Sequence, residues 1–203
     1  MADDITLPGT GTVVAAADKS SVYYQKVQLD IGGAGGFIAA IGDSAGAIYV
    51  RPTPNMFRIL VTPTITTTPY TAGDCLGGLQ TISNAARVSG GSGFIECITV
   101  LDRSQLQRAA IDLVFFDRSV TVAGDNSAFA CTDADMANCL GVISIGPYNV
   151  AWPGTPANSI STLINVGFPF DCNATDLFVQ PIIRATPTYA VGDLTFGYIV
   201  LQN

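Results

Sequence analysis

Residues 109–116 read AAIDLVFF, and the two faces of that stretch decide the fold class. A strand turns successive side chains to opposite sides. Ala109, Ile111, Leu113 and Phe115 therefore share one face, and Ala110, Asp112, Val114 and Phe116 share the other. The second face is mixed rather than polar. Strands of this kind belong to a sheet covered on both sides, by a second layer or by a neighbouring subunit.

Working outward, seven further stretches are short and rich in Val, Ile, Thr and Phe. They are FRILVTPTI (57–65), CLGGLQTI (75–82), FIECITVL (94–101), GVISI (141–145), STLINVGF (161–168), LFVQPIIRA (177–185) and LTFGYIVLQ (194–202). Gly, Pro, Asp and Ser clusters separate them, which is the spacing of an antiparallel sandwich or barrel. A single helix is expected at DADMANCL (133–140), capped by Thr132 or Asp133, with Met136 and Leu140 on one face and Gly141 as its stop. The segments TTTPYTAGDCLGGL (66–79) and RATPTYAVGDLTFGYI (184–199) share a Thr/Pro/Tyr turn and a Gly-Asp pair, and read as two β-hairpins with the same turn chemistry.

Residues 1–56 differ in composition. They are rich in Gly, Ala and Ser, contain one compact strand candidate, VYYQKVQL (22–29), and end at Pro52 and Pro54. Two domains follow: an N-terminal arm or edge segment at 1–56 and a β-sandwich at 57–203. An arm of this composition orders on a neighbouring surface or sheet edge, or supplies edge strands to its own domain. Tyr23 and Tyr24 would point to opposite faces of the strand, one ring toward the home domain and the other toward a partner.

Composition removes whole classes of function. The chain of 203 residues carries 16 acidic and 9 basic side chains, a formal charge of −7 and no histidine. Phosphate neutralisation needs clustered Lys and Arg, so no nucleic-acid partner is expected. Without histidine there is no Ser-His-Asp or Cys-His catalysis and no His-ligated zinc. The mean hydropathy is +0.40, yet no run approaches the roughly 20 apolar residues of a spanning helix, and no membrane partner is expected. The acidic start MADDITLPGTG lacks the basic and apolar regions of a secretory signal, so a soluble chain without cleaved export is expected. Five cysteines with no CxxC pair (Cys75, Cys97, Cys131, Cys139, Cys172) read as buried thiols in a reducing compartment.

The remaining motifs reduce to structure. Gly42-Asp43-Ser44-Ala45-Gly46 fits the G-x-S-x-G pattern, but no histidine exists to take the Ser44 proton. Asp133, Asp135 and Asn138 resemble part of a calcium loop that lacks its turn glycine and terminal Glu, so helix capping is the reading. The one glutamate, Glu96, could approach Asp112 or Asp117 as a glycosidase-like pair. Partnering by Arg87, Arg103, Arg108 or Arg118 is the structural alternative. Trp152 is read at the rim of its own core, with a subunit interface as the second option. No catalytic residue, cofactor or metal site is expected.

The string ITLPGTGTVVAAADKSSVYYQKVQL resembles the opening of tailed-bacteriophage virion proteins. These commonly begin with an ITLPGTG-type stretch and a later V-x-Y-Q-[RK]-V-[KQ]-L strand, matched here by Val22, Tyr24, Gln25, Lys26, Val27, Gln28 and Leu29. The body resembles the same structural proteins through 61–95, IDLVFFD (111–117) and TPTYAVGDLTFGYIVLQN (186–203). The long Gly/Ala insert after Leu29 departs from that pattern.

The resemblance implies a non-enzymatic virion structural protein, a jelly-roll-like β-sandwich with an extended arm that decorates or cements the outside of the capsid. It would be synthesised in the bacterial host cytoplasm. The major capsid protein is the expected partner, and Leu7, Val22, Tyr23, Tyr24, Val27 and Leu29 the expected shell contacts. The apolar second faces of the strands point to a homo-oligomer, a trimer ahead of a dimer. The alternative is a tail, collar or head-fibre protein that binds a host-surface glycan on aromatics around Tyr70, Tyr148 and Tyr189. A hydrolase using Ser44 or Glu96 is the third option.

Overall fold

The computed structural model describes residues 55–104, 107, 109–146 and 158–203, and the backbone of short strands at 16–19, 22–25, 41–42, 48–49 and 150–152. The chain divides into two units, Met1–Pro52 and Thr53–Asn203. In the first, β1 (Ala16–Lys19) pairs antiparallel with β2 (Val22–Gln25), and β3 (Ile41–Gly42) with β4 (Ile48–Tyr49).

The second unit runs β5 (Asn55–Val61), β6 (Gln80–Ile82), β7 (Ser92–Asp102), β8 (Ile111–Phe116), α1 (Asp133–Met136), β9 (Cys139–Ile145), β10 (Val150–Trp152), β11 (Asn158–Asp171), β12 (Leu177–Ile183) and β13 (Leu194–Gln202). Two antiparallel sheets result, in the orders β10-β11-β7-β13-β5 and β6-β12-β8-β9. Apart from the short β10, the strands pair first with last: β5 with β13, β6 with β12, β7 with β11 and β8 with β9. This is one long antiparallel hairpin folded over on itself. Wrapping it into two layers adds the β13–β7 and β12–β8 pairings. The winding is a jelly roll, and the all-β sandwich expected from the strand pattern is the fold.

The core lies between the sheets. β7 and β13 send Ile95, Ile98, Val100, Phe196, Tyr198 and Val200 inward, where they meet Ile111, Leu113 and Phe115 of β8 and Val179 of β12. The Phe115 ring sits 5.0 Å from Phe168 and edge-on to Tyr198. Both prolines within the described strands fall outside the regular ladder on one side of their strand. Pro181 lies beyond the three residues of β12 that β6 reaches, and Pro169 beyond the short stretch of β11 that β10 reaches. A missing N–H costs no ladder bond on those sides.

All eight expected strands are present, most with shifted ends. Only Gln80–Ile82 of the 75–82 stretch is strand. Cys75 and Leu76 still run beside β12, through an isolated bridge to Ile182 and a bond to the Pro181 carbonyl, while Leu79 turns to the outer face. The helix is one turn, Asp133–Met136, and Cys139 already belongs to β9, so Met136 and Leu140 do not share a helical face. β5 begins at Asn55, and β10 was not expected at all.

Candidate assembly surface

The four-stranded sheet buries most of its outer face within its own chain, although Val142 of β9, opposite Val114, stays 54% exposed. Val114 and Phe116 of β8 and Ile182 of β12 point away from the main core, yet all three are buried, Phe116 completely. Val120, Val122, Phe129 and Cys131, from the connection between β8 and α1, pack over them together with Leu79. The doubly apolar strand 111–116 therefore finds its second cover in cis: of the two covers left open for it, a second layer and a neighbouring subunit, its own chain supplies the first.

Two loops make that cover and are stitched to one another. Cys75 N–H donates to the Ser127 carbonyl at 2.8 Å, Asn126 N–H to the Cys75 carbonyl at 2.9 Å, and Phe129 N–H to the Gly73 carbonyl at 2.9 Å. Asp125 is the fastener. Its carboxylate accepts from Tyr70 Oη at 2.7 Å, Gly77 N–H at 2.6 Å and Thr66 N–H at 2.7 Å. Charge-assisted bonds of this kind are about twice as strong as neutral ones. No sequence motif singled out Asp125; its partners lie 48 to 59 residues away.

The five-stranded sheet differs. Its outer face carries Met56 and Leu60 of β5, 60% and 57% exposed, Phe94 of β7, and Ile199 and Leu201 of β13, with Ile164 of β11 at the flank. Arg58 lies among them. Its guanidinium rests across Gly197, where a Cβ would come within 3.2 Å of both Nε and Nη2. Glu96 reaches the same face through a β-bulge. The register passes from Ile199↔Cys97 to Val200↔Ile95, so Glu96 and Cys97 together oppose one residue of β13. The extra residue keeps both Ile95 and Ile98 inward while Glu96 and Cys97 turn out.

The carboxylates weighed for catalysis fall on different sheets. Glu96 belongs to β7, whereas Asp112 lies in β8 of the other sheet and Asp117 just after it. Asp112 pairs with Arg184 and accepts from Ser144 Oγ at 2.7 Å. Asp117 takes a two-pronged bond from Arg118 at 2.8 and 2.9 Å. Arg118 was among the expected partners; Arg184, 72 residues from Asp112, was not. Ser44 lies outside the described residues. Gly42 pairs antiparallel with Ile48, so the strands flanking that motif are not the parallel strand and helix of a nucleophile elbow.

Capping accounts for Asp133 and Asp135. Thr132 Oγ1 accepts from Asp135 N–H at 3.1 Å and donates to its carboxylate at 2.9 Å, while Asn138 bonds back to the Ala134 carbonyl at 3.1 Å. Among the described residues no group of three His, Cys, Asp or Glu side chains is placed to hold a metal, and no helix is long and apolar enough to cross a membrane.

The aromatic sugar platform is corrected. Tyr70 and Tyr189 are 2% and 1% exposed, their rings 6.3 Å apart and edge-on. Tyr148 lies outside the described residues. The two tyrosines open matching Y-x-x-G-D turns at 70–74 and 189–193. In each, the Asp carboxylate accepts from the N–H three residues earlier, Thr71 at 2.7 Å and Ala190 at 2.6 Å, and the Asp N–H closes the turn onto that residue's carbonyl. Gly73 and Gly192 take φ of +103° and +86°, the conformation that a type II turn demands at its third position. The shared turn chemistry is present. Neither segment is a hairpin, however: the first turn leads to isolated bridges at Asp74 and Cys75, and the second joins β12 to β13, which lie in different sheets.

Of the expected shell contacts, Val22, Tyr23 and Tyr24 lie in β2, with Tyr23 opposite Asp18 and Tyr24 opposite Ala17. Leu7, Val27 and Leu29 lie outside the described residues. Trp152 ends β10 opposite Asn158. All five cysteines are free thiols. Burial, with Asp74 and Asp125 nearby, pushes Cys75 up to about 11. Burial and the carboxylates of Asp171, Asp176 and Asp117 do the same to Cys172. Cys97, on the open face, is raised by burial, with Arg58 pulling the other way.

No protein-family model matches the chain, and no curated protein matches it. Among solved structures it is similar to the VP2 subviral particle of infectious bursal disease virus, at 11% identity and a TM-score of 0.32, covering 98% of this chain and 54% of that one. It is also similar to Desmodium yellow mottle tymovirus, at 11% identity and 0.25, covering 78% and 94%. The native virion of Kashmir bee virus follows at 10% identity and 0.26, covering 98% and 93%. The chain thus spans about half the length of the first of these. At these scores the jelly-roll assignment rests on the strand order of the two sheets and not on the likenesses.

Proposed function

We propose that this chain is a non-enzymatic virion structural protein of a tailed bacteriophage, a decoration or cement protein that binds the outer capsid shell and stabilises it. A jelly roll by itself serves many functions, so the fold does not decide the matter. The observation that carries the reading is the contrast between two sheet faces: one largely covered by its own loops, the other with several apolar side chains that no described residue covers. A face of that kind is built to be covered in an assembly. The resemblance of the N-terminal string and of 61–95 to phage virion proteins supplies the setting.

In this reading the sandwich from about residue 57 is the body, and 1–56 is the arm. Leu7, Val22, Tyr23, Tyr24, Val27 and Leu29 contact the major capsid protein, and the protein acts as a homo-oligomer on the capsid exterior. Repetition over a shell multiplies contacts that are individually weak.

Quantitative mass spectrometry of purified particles tests it. Hundreds of copies per virion are expected for a shell protein, against about six to eighteen for a tail or collar part of closed symmetry. Absence from washed particles overturns the proposal. A chain lacking residues 1–29 should stay folded and no longer bind shells stripped of this protein.

A further inference from the structure

The open face holds more than apolar side chains. Its register rows run Met56, Leu201, Phe94 and then Arg58, Ile199, Cys97, so Arg58 and the Glu96–Cys97 bulge stand on either side of β13. Two strand spacings separate β5 from β7, roughly 10 Å, too far for direct contact between backbone-anchored heads without long reach. The ion pairs among the described residues are Arg118–Asp117 and Arg184–Asp112, and neither Arg58 nor Glu96 takes part in one. Glu96 is the only glutamate of the chain, and a bulge delivers it into this apolar surface.

We propose that this face pairs with the same face of a second copy of the chain about a two-fold axis, with Arg58 of each copy against Glu96 of the other. The axis runs along β13 over Ile199. Rotation about it lays β5 of one copy over β7 of the other, which exchanges the positions of the cation and the anion. Met56 then meets Phe94, and Ile199 and Leu201 meet their own counterparts. Arg58 and Glu96, opposite charges on opposite sides of the central strand, make this part of the face complementary to itself, while Arg103 lies at its far end on Thr195. A face of one sign would need a different partner. Aligned packing of this kind sets two sheets about 10 Å apart with interdigitating side chains, and self-complementarity is the requirement of an isologous interface. The two-fold replaces the trimer that the strand pattern favoured. The inference rests only on the homo-oligomer part of the proposed function, and holds equally for a chain that never enters a particle.

Charge reversal tests it, read by sedimentation velocity on the full chain across micromolar concentrations. Wild type is expected to dimerise. Arg58→Glu and Glu96→Arg should each weaken self-association about tenfold or more, since like charges then face one another. An equimolar mixture of the two should restore the dimer, as should the double variant, because every cross-pair is again of opposite sign. The three positions of the test are on the outer sheet surface, Arg58 and Leu60 exposed and Glu96 half-buried, and unchanged circular dichroism confirms folding; Leu60→Lys offers a second route to the monomer. A wild type that stays monomeric overturns the inference. So do single variants that associate like wild type, a mixture that fails to associate, or a trimer indifferent to both reversals. Particle binding, measured separately, reports on the virion reading alone.

Discussion

The two sheets of the sandwich solve the same problem in different ways. Each has an apolar outer face, β8 and β12 through Val114, Phe116 and Ile182, and β5, β7 and β13 through Met56, Leu60, Phe94 and Leu201. The four-stranded sheet is roofed by 117–131 and 71–79, fastened through Asp125. The five-stranded sheet has no such roof among the described residues. Similar strand chemistry therefore carries different meanings: on one side it is a second core, on the other a surface for assembly.

The largest expected effect is on the roofed side. Phe116→Ala removes a wholly buried ring and should cost about 3–5 kcal/mol in denaturant unfolding, the usual range for a core Phe. A loss below 1 kcal/mol would mean the roof is loose in solution. Asp125→Ala should come next, at about 2 kcal/mol. It strands the Tyr70 hydroxyl and two backbone N–H groups that the carboxylate now accepts. Limited proteolysis should then cut within 117–131 far faster than in wild type.

Base should also act on the roofed side. Cys75 stands at about 11 in the folded chain against an ordinary 9.0, because burial disfavours its thiolate. The folded state thus keeps a proton that the unfolded state releases between those values. Stability should be flat below about pH 9 and fall as pH rises toward 11. Cys75→Ala should make that fall shallower; an unchanged slope would remove the thiol from the account. Smallest of all is Ile164→Ala at the flank of the open face. At 70% exposure, its truncation should change monomer stability by no more than about 0.5 kcal/mol. A cost of several kcal/mol would show that this face is already covered.

The strands were legible because alternation, β-branched content and Gly/Pro punctuation are local. LTFGYIVLQ matches β13 residue for residue, and each of the other seven stretches overlaps a strand. CLGGLQTI failed in part for a tertiary reason. Its first residues bond along the edge of β12, Leu76 N–H to the Pro181 carbonyl and Gln180 Nε2 to the Gly77 carbonyl, and so form an irregular edge instead of regular strand. Tyr70 and Tyr189 misled for a related reason. A Thr- and Pro-rich turn looks solvent-exposed, yet an aromatic ring is readily buried when its hydroxyl has a partner, as Asp125 provides for Tyr70. The open face was legible only as apolar strands; the bulge that carries Glu96 outward left no mark in the alternation that could be told from noise.

By itself the sequence determined the all-β class, the eight strands, the shared chemistry of the two Gly-Asp turns and the lack of a histidine-based catalytic kit, because each depends on residue type or on spacing within a few positions. Only the tertiary structure decided which apolar faces are filled. AAIDLVFF reads the same whether its second face meets a loop or a subunit. The choice between them depends on contacts made across 48 to 72 residues of chain, and those follow from how the hairpin is wound rather than from any local pattern.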